Sequence, residues 1–184
     1  YIKEHGMEQI VRDARIATLY EGTTGIQGLD LLGRKVLLSS RGKCVRDFSK
    51  KLLDFGRKYL TDSDLRPYAW KLLKIAAEWN YLTTRIMLVA AKDRDMVSTA
   101  SHDFLMYSGY AMMAYFWALQ AKVARDKLEN GGNEPKEFYQ AKLATADFFF
   151  ERMLPTAKGH AEGALKPTKS TMQLAPEHFS FDYE

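Results

Sequence analysis

The sequence predicts an all-α protein, and three observations support this prediction. Apolar residues recur at intervals of three and four along most of the chain, which is the spacing of one buried helix face. No window of strand length shows sustained alternation of apolar and polar residues. Short polar segments separate the helical stretches, and four long helices joined by short turns are typical of an antiparallel bundle.

Two helices are predicted in the first 39 residues, over residues 7 to about 17 and about 24 to 39. The segment between them includes Glu-Gly-Thr-Thr-Gly, at residues 21–25. Thr23 and Thr24 are good N-cap residues, because a hydroxyl oxygen can accept hydrogen bonds from the free N–H groups of the first helical turn. Ile26, Leu29, Leu32 and Val36 then follow at helical spacing.

The same connection is a candidate ligand site. Gly22 has no side chain, so a ligand can approach the backbone closely beside Glu21. The N–H groups that follow Thr23 provide a site for a phosphate or another anion. A carboxylate just ahead of a helix N-terminus therefore makes catalysis possible here, although an isolated Glu21 would more simply be a solvated acid favoured by the helix dipole.

A domain boundary is predicted at residues 39–43, the first polar stretch with a glycine after these helices. The predicted units are residues 1–39, a helical bundle over residues 40–165, and an extended tail over residues 166–184. The apolar positions that we expect to line the bundle core recur by three and four: Val45, Phe48, Leu52, Phe55 and Tyr59, then Leu72, Ile75, Trp79, Leu82, Ile86 and Val89.

Two further long helices complete the predicted bundle. A helix from about residue 97 to 128 carries the apolar positions Leu105, Met112, Phe116, Leu119 and Val123, and its small residues Gly109, Ala111, Ala114 and Ala118 leave room for a close neighbour. We expect Met112, Met113 and Trp117 to belong to the core. The next helix runs from Pro135 to about Leu154, and Pro155 interrupts it before a last short helix through His160.

Three adjacent phenylalanines, at residues 148–150, have two interpretations. They could dip into a membrane, or they could pack in the core. Core packing is favoured. Three adjacent residues span most of a helical turn, so two can be buried while one meets a neighbouring domain.

Composition excludes several other classes of protein. The 184 residues are 46% hydrophobic and 27% charged, which is typical of a globular chain rather than of a disordered one. The net charge of +4 reflects basic residues spread through the helices, so a nucleic-acid surface is not expected. The single cysteine, Cys44, excludes an internal disulfide and fits a cytoplasmic location.

Metal and membrane sites are not expected either. The four histidines, His5, His102, His160 and His178, lie far apart in sequence and lack a second ligand at helical spacing. The sequence contains no run of about 20 apolar residues, the length that a membrane-spanning helix needs. The first residues also lack the pattern of a signal peptide.

The sequence around the connection resembles the C-terminal signature of acyl-CoA dehydrogenases. The similarity rests on Arg-Asp-Ala-Arg-Ile at residues 12–16, Tyr-Glu-Gly-Thr at residues 20–23 and Ile-Gln at residues 26–27. The Thr-Thr-Gly variant, the run at residues 29–35 and the ending at residues 149–155 resemble the bacterial subfamily with an appended C-terminal helical domain. The chain begins with Tyr1, so we expect a C-terminal fragment of a longer enzyme.

The resemblance implies an all-α fold that joins the last helices of the acyl-CoA dehydrogenase C-terminal domain to an appended antiparallel bundle. It implies that Glu21 is the base that removes the α-proton of an acyl-CoA thioester, while FAD accepts the β-hydrogen as hydride. Gly22 falls on the position beside the substrate, and Thr23, Thr24 and Gly25 fall on the segment that touches FAD. Gly25 departs from the family pattern, where glutamine is commoner, so its contact would come from the backbone.

The implied partners are the acyl-CoA substrate, an electron-transfer flavoprotein as acceptor and further copies of the full-length enzyme in a homo-oligomer. Two other functions stay open at this point. One is an oxidase of the same superfamily, in which oxygen reoxidises the flavin. The other is a non-catalytic helical module for oligomerisation or docking. Arg12, Asp13 and Arg15 are interpreted as an exposed ion-pair face rather than as site residues.

Overall fold

The computed structural model describes residues 4, 6–20 and 23–179, and within these ranges the chain is helical without a β-strand. The predicted all-α class is therefore confirmed. The α-helices in these ranges are α1 (Met7–Tyr20), α2 (Thr24–Leu29), α3 (Lys43–Tyr59), α4 (Arg66–Ala90), α5 (Asp95–Asn130), α6 (Lys136–Phe148), α7 (Ala157–Ala164) and α8 (Lys169–Met172). Segments of wider π-type helix cover Asp30–Ser39 and Phe149–Met153, and 3₁₀ turns cover Leu154–Thr156 and Pro176–Phe179.

The helices α3 and α4 pack on each other through the faces that the sequence predicts. The buried apolar residues of this pair include Val45, Leu52, Phe55, Leu72, Trp79, Leu82 and Ile86. Full burial of one such side chain contributes about 1.5–3 kcal/mol relative to exposure, so these residues dominate the stability of the bundle. Pro67 lies in the first turn of α4, where its missing N–H group leaves no hydrogen bond unmade.

The predicted buried face of α5 is wrong. Met112 is 41% exposed, Phe116 49% and Val123 51%, whereas Ala111, Ala114 and Ala118 are fully buried, as are Phe104 and Tyr107. Because α5 is apolar around most of its circumference, periodicity alone cannot identify the inner face. The face with small side chains is inside, since it lets neighbouring helices approach most closely.

The expectation of close neighbours along α5 is therefore correct for its alanines. It does not hold for Gly109, because no atom of the described residues lies within 4 Å of a Cβ added there. The expectation that Met112 and Met113 belong to the core is also wrong, because Met113 is exposed like Met112. Trp117 is partly buried and stacks on Phe149 with ring centroids 6.4 Å apart.

The three adjacent phenylalanines divide as predicted. Phe149 and Phe150 are buried in the core, and Phe148 points outward. The helix widens from Phe149 to Met153 and then tightens into the 3₁₀ turn that contains Pro155. Proline has no backbone N–H group to donate to the preceding turn, which explains the interruption at this place.

The prediction of an extended tail from residue 166 is wrong for the part that the structure describes. Helix α8 and the turn Pro176–Phe179 lie in this segment. The Thr168 hydroxyl donates to Asp93 Oδ2 at 2.6 Å, and the Thr168 carbonyl accepts the N–H groups of Thr171 and Met172. These bonds start a helical turn and fix it to the loop before α5.

The predicted domain boundary falls on a turn between the Asp30–Ser39 segment and α3. Gly42 has φ = 75°, a left-handed conformation that glycine adopts without steric cost. Leu32 and Val36, which precede this turn, are completely buried and belong to the same core as α3, α4 and α5. The boundary stays a prediction, and the helix before it contributes to the bundle core.

A polar link joins the α3–α4 loop to α5. One carboxylate oxygen of Asp62 accepts the N–H groups of Asp64 and Leu65 at 3.0 and 2.9 Å, and the other accepts from the Arg125 guanidinium. The bond from Leu65, followed by that from Arg125, lowers the pKa of Asp62. The carboxylate therefore stabilises the start of α4 and holds it against α5.

Replacing Asp62 with alanine should lower the free energy of unfolding by roughly 1–2 kcal/mol at pH 7, because a cap and a partly exposed ion pair are lost. The pKa of Asp62 is lower in the folded state than in the unfolded state. Its stabilisation is therefore complete above about pH 4 and is lost as the pH falls toward the folded-state pKa. Thermal melts of both proteins at pH 7 and pH 3 test this.

The matched control is Asp64→Ala, which removes an exposed carboxylate two residues away and should leave the melting temperature near that of the parent. A difference between parent and Asp62→Ala that is as large at pH 3 as at pH 7 would contradict the electrostatic interpretation.

The piece from residue 43 to 165 should fold as a helical unit, but less stably than a piece that starts at residue 23. The shorter piece retains the contacts of α3, α4 and α5 and loses the buried side chains of Leu32 and Val36. Circular dichroism and thermal melting of the two pieces measure this difference. An aggregating product without a cooperative transition would rule out the boundary at residues 39–43.

Candidate functional site

The predicted site residues lie at the start of α2. Thr23 is the N-cap of this helix, with an extended backbone (φ −76°, ψ 154°), and its hydroxyl oxygen accepts the N–H group of Ile26 at 3.4 Å. Its carbonyl oxygen accepts the N–H group of Gln27 at 3.1 Å. The predicted cap is therefore present. Glu21 and Gly22 lie outside the described residues.

The three predicted cofactor residues, Thr23, Thr24 and Gly25, are exposed. Among the described residues, the atom that a Cβ added at Gly25 would approach is the Thr23 hydroxyl oxygen, at 3.9 Å. The first N–H groups of a helix have no partner within the helix, and with the Thr24 hydroxyl they can donate hydrogen bonds to a phosphate or a polar ring edge. This donor set fits one edge of FAD and cannot enclose it.

Helix α2 lies directly against the backbone of α5. Gly28 is buried, and a Cβ atom added there would lie 2.8 Å from the carbonyl oxygen of Ser101. Farther along, a Cβ atom added at Gly33 would lie 3.3 Å from Val97 Cγ1. Sequence reasoning missed this contact. Its signal is the pair of glycines, Gly28 and Gly33, beside the apolar positions Leu32 and Val36.

Ion pairs cover the outer side of the helix that follows. Asp30 accepts from the Arg34 guanidinium and pairs with Lys35 Nζ at 3.0 Å. These two bonds, that of Arg34 first, lower the pKa of Asp30 to about 2. The carboxylate therefore stays charged at neutral pH, and because it is solvated the pairs contribute little stability.

The residues before the connection form an exposed polar face, as predicted. On α1, the Arg12 guanidinium pairs with Glu8 and donates to Gln9, while Gln9 donates to Asp13 at 2.7 Å. These contacts lie within one helix and engage the Arg12 side chain locally. They support the interpretation that Arg12 and Asp13 stabilise the helix surface.

A histidine pair between α5 and α7 is the second group with potential chemistry. His160 Nδ1 lies 2.9 Å from Asp103 Oδ1, the His102 ring centroid is 6.2 Å from that of His160, and Tyr110 stacks on His160. Nowhere in the described ranges do three or more histidine, cysteine or acidic side chains come together as a metal site would require. The bond between His160 and Asp103 joins the two helices.

A third group surrounds a surface cavity of about 440 Å³ between α4, α5, α7 and the segment of residues 149–156. The buried Tyr107 hydroxyl donates to Glu78 Oε2 at 2.7 Å at this cavity. Burial, together with this hydrogen bond, raises the pKa of Tyr107 well above its usual range. Tyr107 is therefore a permanent donor that positions α5 on α4, rather than an acid or base near neutral pH.

No helix within residues 4, 6–20 and 23–179 is both long and apolar enough to cross a bilayer.

Comparison with known proteins identifies a family and several relatives. Residues 45–175 match the family described as acetyl-CoA dehydrogenase C-terminal like. The chain is 36% identical over 155 residues to the 3-methylmercaptopropionyl-CoA dehydrogenase of Ruegeria pomeroyi, and the alignment covers 84% of this chain and 26% of that protein.

Two further relatives have related names. The broad-specificity linear acyl-CoA dehydrogenase FadE5 of Mycobacterium tuberculosis is 29% identical over 162 residues, with 84% of this chain and 26% of that protein covered. The butyryl-CoA dehydrogenase of Syntrophomonas wolfei is 24% identical over 190 residues, with 97% and 29% covered. The chain thus spans about a quarter of the length of these curated relatives.

Proposed function

Because the chain belongs to the acetyl-CoA dehydrogenase C-terminal-like family, we propose that it forms the C-terminal part of an FAD-dependent acyl-CoA dehydrogenase. The proposed reaction is α,β-dehydrogenation of an acyl-CoA thioester. The observation that supports it most directly is Tyr-Glu-Gly-Thr at residues 20–23, immediately before a capped helix with an open N-terminal turn. The relatives that it resembles are named as acyl-CoA dehydrogenases.

Glu21 is the proposed base for the α-proton. An ordinary solvated carboxylate is too weak a base for a thioester α-proton, so the site must desolvate it and donate hydrogen bonds to the thioester oxygen. Gly22 is the proposed point of close approach to the substrate. When bound, FAD supplies the acceptor for the β-hydrogen, which leaves as hydride.

Thr23, Thr24 and Gly25 are proposed to contact FAD. The Thr23 hydroxyl is engaged in capping the helix, so it fixes the first turn, while Thr24 is exposed and its hydroxyl is a candidate donor. Gly25 offers backbone only. We further propose that the enzyme is a cytoplasmic homo-oligomer and that an electron-transfer flavoprotein accepts the electrons. A stopped-flow measurement of the rate at which oxygen reoxidises the reduced flavin distinguishes a dehydrogenase from an oxidase, because only an oxidase reacts rapidly with oxygen.

The chain of 184 residues alone should bind FAD weakly or not at all and show no dehydrogenase activity. Tight binding requires a pocket that encloses most of a ligand, and residues 23–25 form only one exposed edge. The absorbance of the purified chain near 450 nm, with and without added FAD, measures this. A yellow preparation with stoichiometric flavin would show that the cofactor site is placed wrongly.

In the enzyme that contains this chain, Glu21→Gln should retain the fold and the flavin and lose most of the turnover. Glutamine has the same size but cannot accept a proton, and a positioned general base contributes about 10²–10⁴-fold. We expect a loss at the upper end of that range, since a closed site keeps out the water that could replace the base. The measurement is the rate of flavin bleaching on mixing with a competent acyl-CoA, per bound flavin.

Asp30→Asn is the matched control, because it makes the same carboxylate-to-amide change nine positions along, on an exposed ion pair. It should bleach at the parent rate. If Glu21→Gln bleaches within a few-fold of the parent, another residue is the base.

A further inference from the structure

The contact between α2 and α5 is closer than side chains normally allow. At Gly28 the nearest atoms to an added Cβ are all backbone: the Ser101 oxygen at 2.8 Å, the Ser101 carbonyl carbon at 2.9 Å and the His102 nitrogen at 3.3 Å. Ordinary van der Waals contact begins at about 3.4 Å. Because a backbone cannot rotate away as a side chain does, any residue other than glycine must move α2 away from α5.

A second contact, at Gly33, lies nearer the start of α5. Gly28 meets Ser101, and Gly33 meets Val97, four residues earlier on α5. The helix that starts at Thr24 is therefore antiparallel to the first turns of α5. Leu32, beside Gly33, is completely buried in the bundle core. Two points of contact and one buried anchor fix this helix along its length.

The contact at Gly28 is coupled to the first turn of α2 through few bonds. The N–H group of Gln27, the neighbour of Gly28, donates to the Thr23 carbonyl, and the Thr23 hydroxyl accepts from Ile26. Thr24 and Gly28 are about 6 Å apart along the helix at 1.5 Å per residue. A displacement at Gly28 therefore moves the first turn as a rigid body.

We propose that Gly28 is a positioning residue, which lets the C-terminal bundle hold the segment that carries the catalytic base. This inference rests on the proposed function, since Glu21 precedes the cap residue Thr23 by two positions in the sequence. The bundle then has a defined role: the α5 backbone at Ser101 sets the position of the first turn of α2. A misplacement of about 1 Å at a reacting group can cost about 10²-fold in rate.

The test is Gly28→Ala in the flavin-containing enzyme. Raising the 2.8 Å approach to 3.4 Å moves α2 by about 0.6 Å or more. We expect the rate of flavin reduction per bound flavin, at saturating acyl-CoA, to fall about 10- to 100-fold. The loss should fall on kcat more than on KM, because the base rather than the bulk of the substrate contacts is displaced.

Two controls separate positioning from loss of stability. Gly109→Ala makes the same change on α5 where the added methyl meets open space, and it should reduce flavin at the parent rate. Leu52→Ala removes a buried side chain of α3, and it should lower the melting temperature while keeping the rate per bound flavin. A Gly28→Ala enzyme that keeps its flavin and reduces it within two-fold of the parent would overturn the proposal.

A second pair of variants decides the matter if Gly28→Ala does not fold. Gly33→Ala places a methyl 3.3 Å from Val97 Cγ1, a milder and removable conflict. It should lower the rate a few-fold, and Val97→Ala in the same enzyme should restore it. No loss with Gly33→Ala, or a loss that Val97→Ala does not restore, would overturn the proposal.

Glu21→Gln, measured in parallel, tests the proposed base separately from the positioning role of Gly28. A large loss of rate with Glu21→Gln and no loss with the glycine variants would support Glu21 as the base and overturn only the positioning role of Gly28. Retained activity with Glu21→Gln overturns the proposed base and, with it, the inference about Gly28.

Discussion

The small-residue face of α5 is the constraint on which the arrangement of the other helices depends. Helices α2, α4, α6 and α7 all pack on α5, and its inner face is built largely from alanine: Ala111, Ala114, Ala118, Ala121 and Ala124. Alanine buries little apolar area, so most of the stabilising free energy comes from the larger side chains of neighbouring helices that pack on this face, such as Trp79. A larger residue on this face would force the neighbours apart, because a core at native packing density has few voids to absorb added volume.

Hydrogen bonds between helices fix the relative alignment of α4 and α5, which apolar packing alone does not determine. The Trp79 indole N–H donates to the Ser108 hydroxyl at 3.1 Å, and the Tyr107 hydroxyl donates to Glu78 at 2.7 Å. Both join α4 to α5, so they select one register of this helix pair among those that bury similar apolar area. Each bond contributes only about 1 kcal/mol net, but leaving a buried donor unpaired costs about 1–3 kcal/mol. Misaligned registers are therefore disfavoured more than the native one is favoured.

The sequence predicts the fold class, the order of helices and the core of α3 and α4, because each of those helices carries one continuous apolar stripe at intervals of three and four. It does not predict the inner face of α5, because this helix is apolar nearly all round: periodicity assigns Met112 and Phe116 to the core, whereas both are exposed. The tail shows a different limit. Its helical turn depends on the Thr168–Asp93 bond between residues 75 positions apart, which local pattern cannot indicate. At the candidate site the cap at Thr23 follows from residue type, whereas the contact of Gly28 with Ser101 depends on how two distant helices cross.

The same crossing explains how a short, exposed helix start can have a defined position. A first turn such as that of α2 has little stability of its own, since helix nucleation fixes several backbone angles for one hydrogen bond. Its order must come from the residues that follow it, and these are the contact at Gly28 and the burial of Leu32 and Val36. The free energy that holds the candidate cofactor edge is therefore supplied by the bundle core rather than by the edge itself. In the proposed enzyme, the appended helices and the catalytic segment would accordingly form one packing unit. Substitutions at the exposed first turn of α2 would leave its position unchanged, whereas a larger side chain at the contact between Gly28 and Ser101 would displace it.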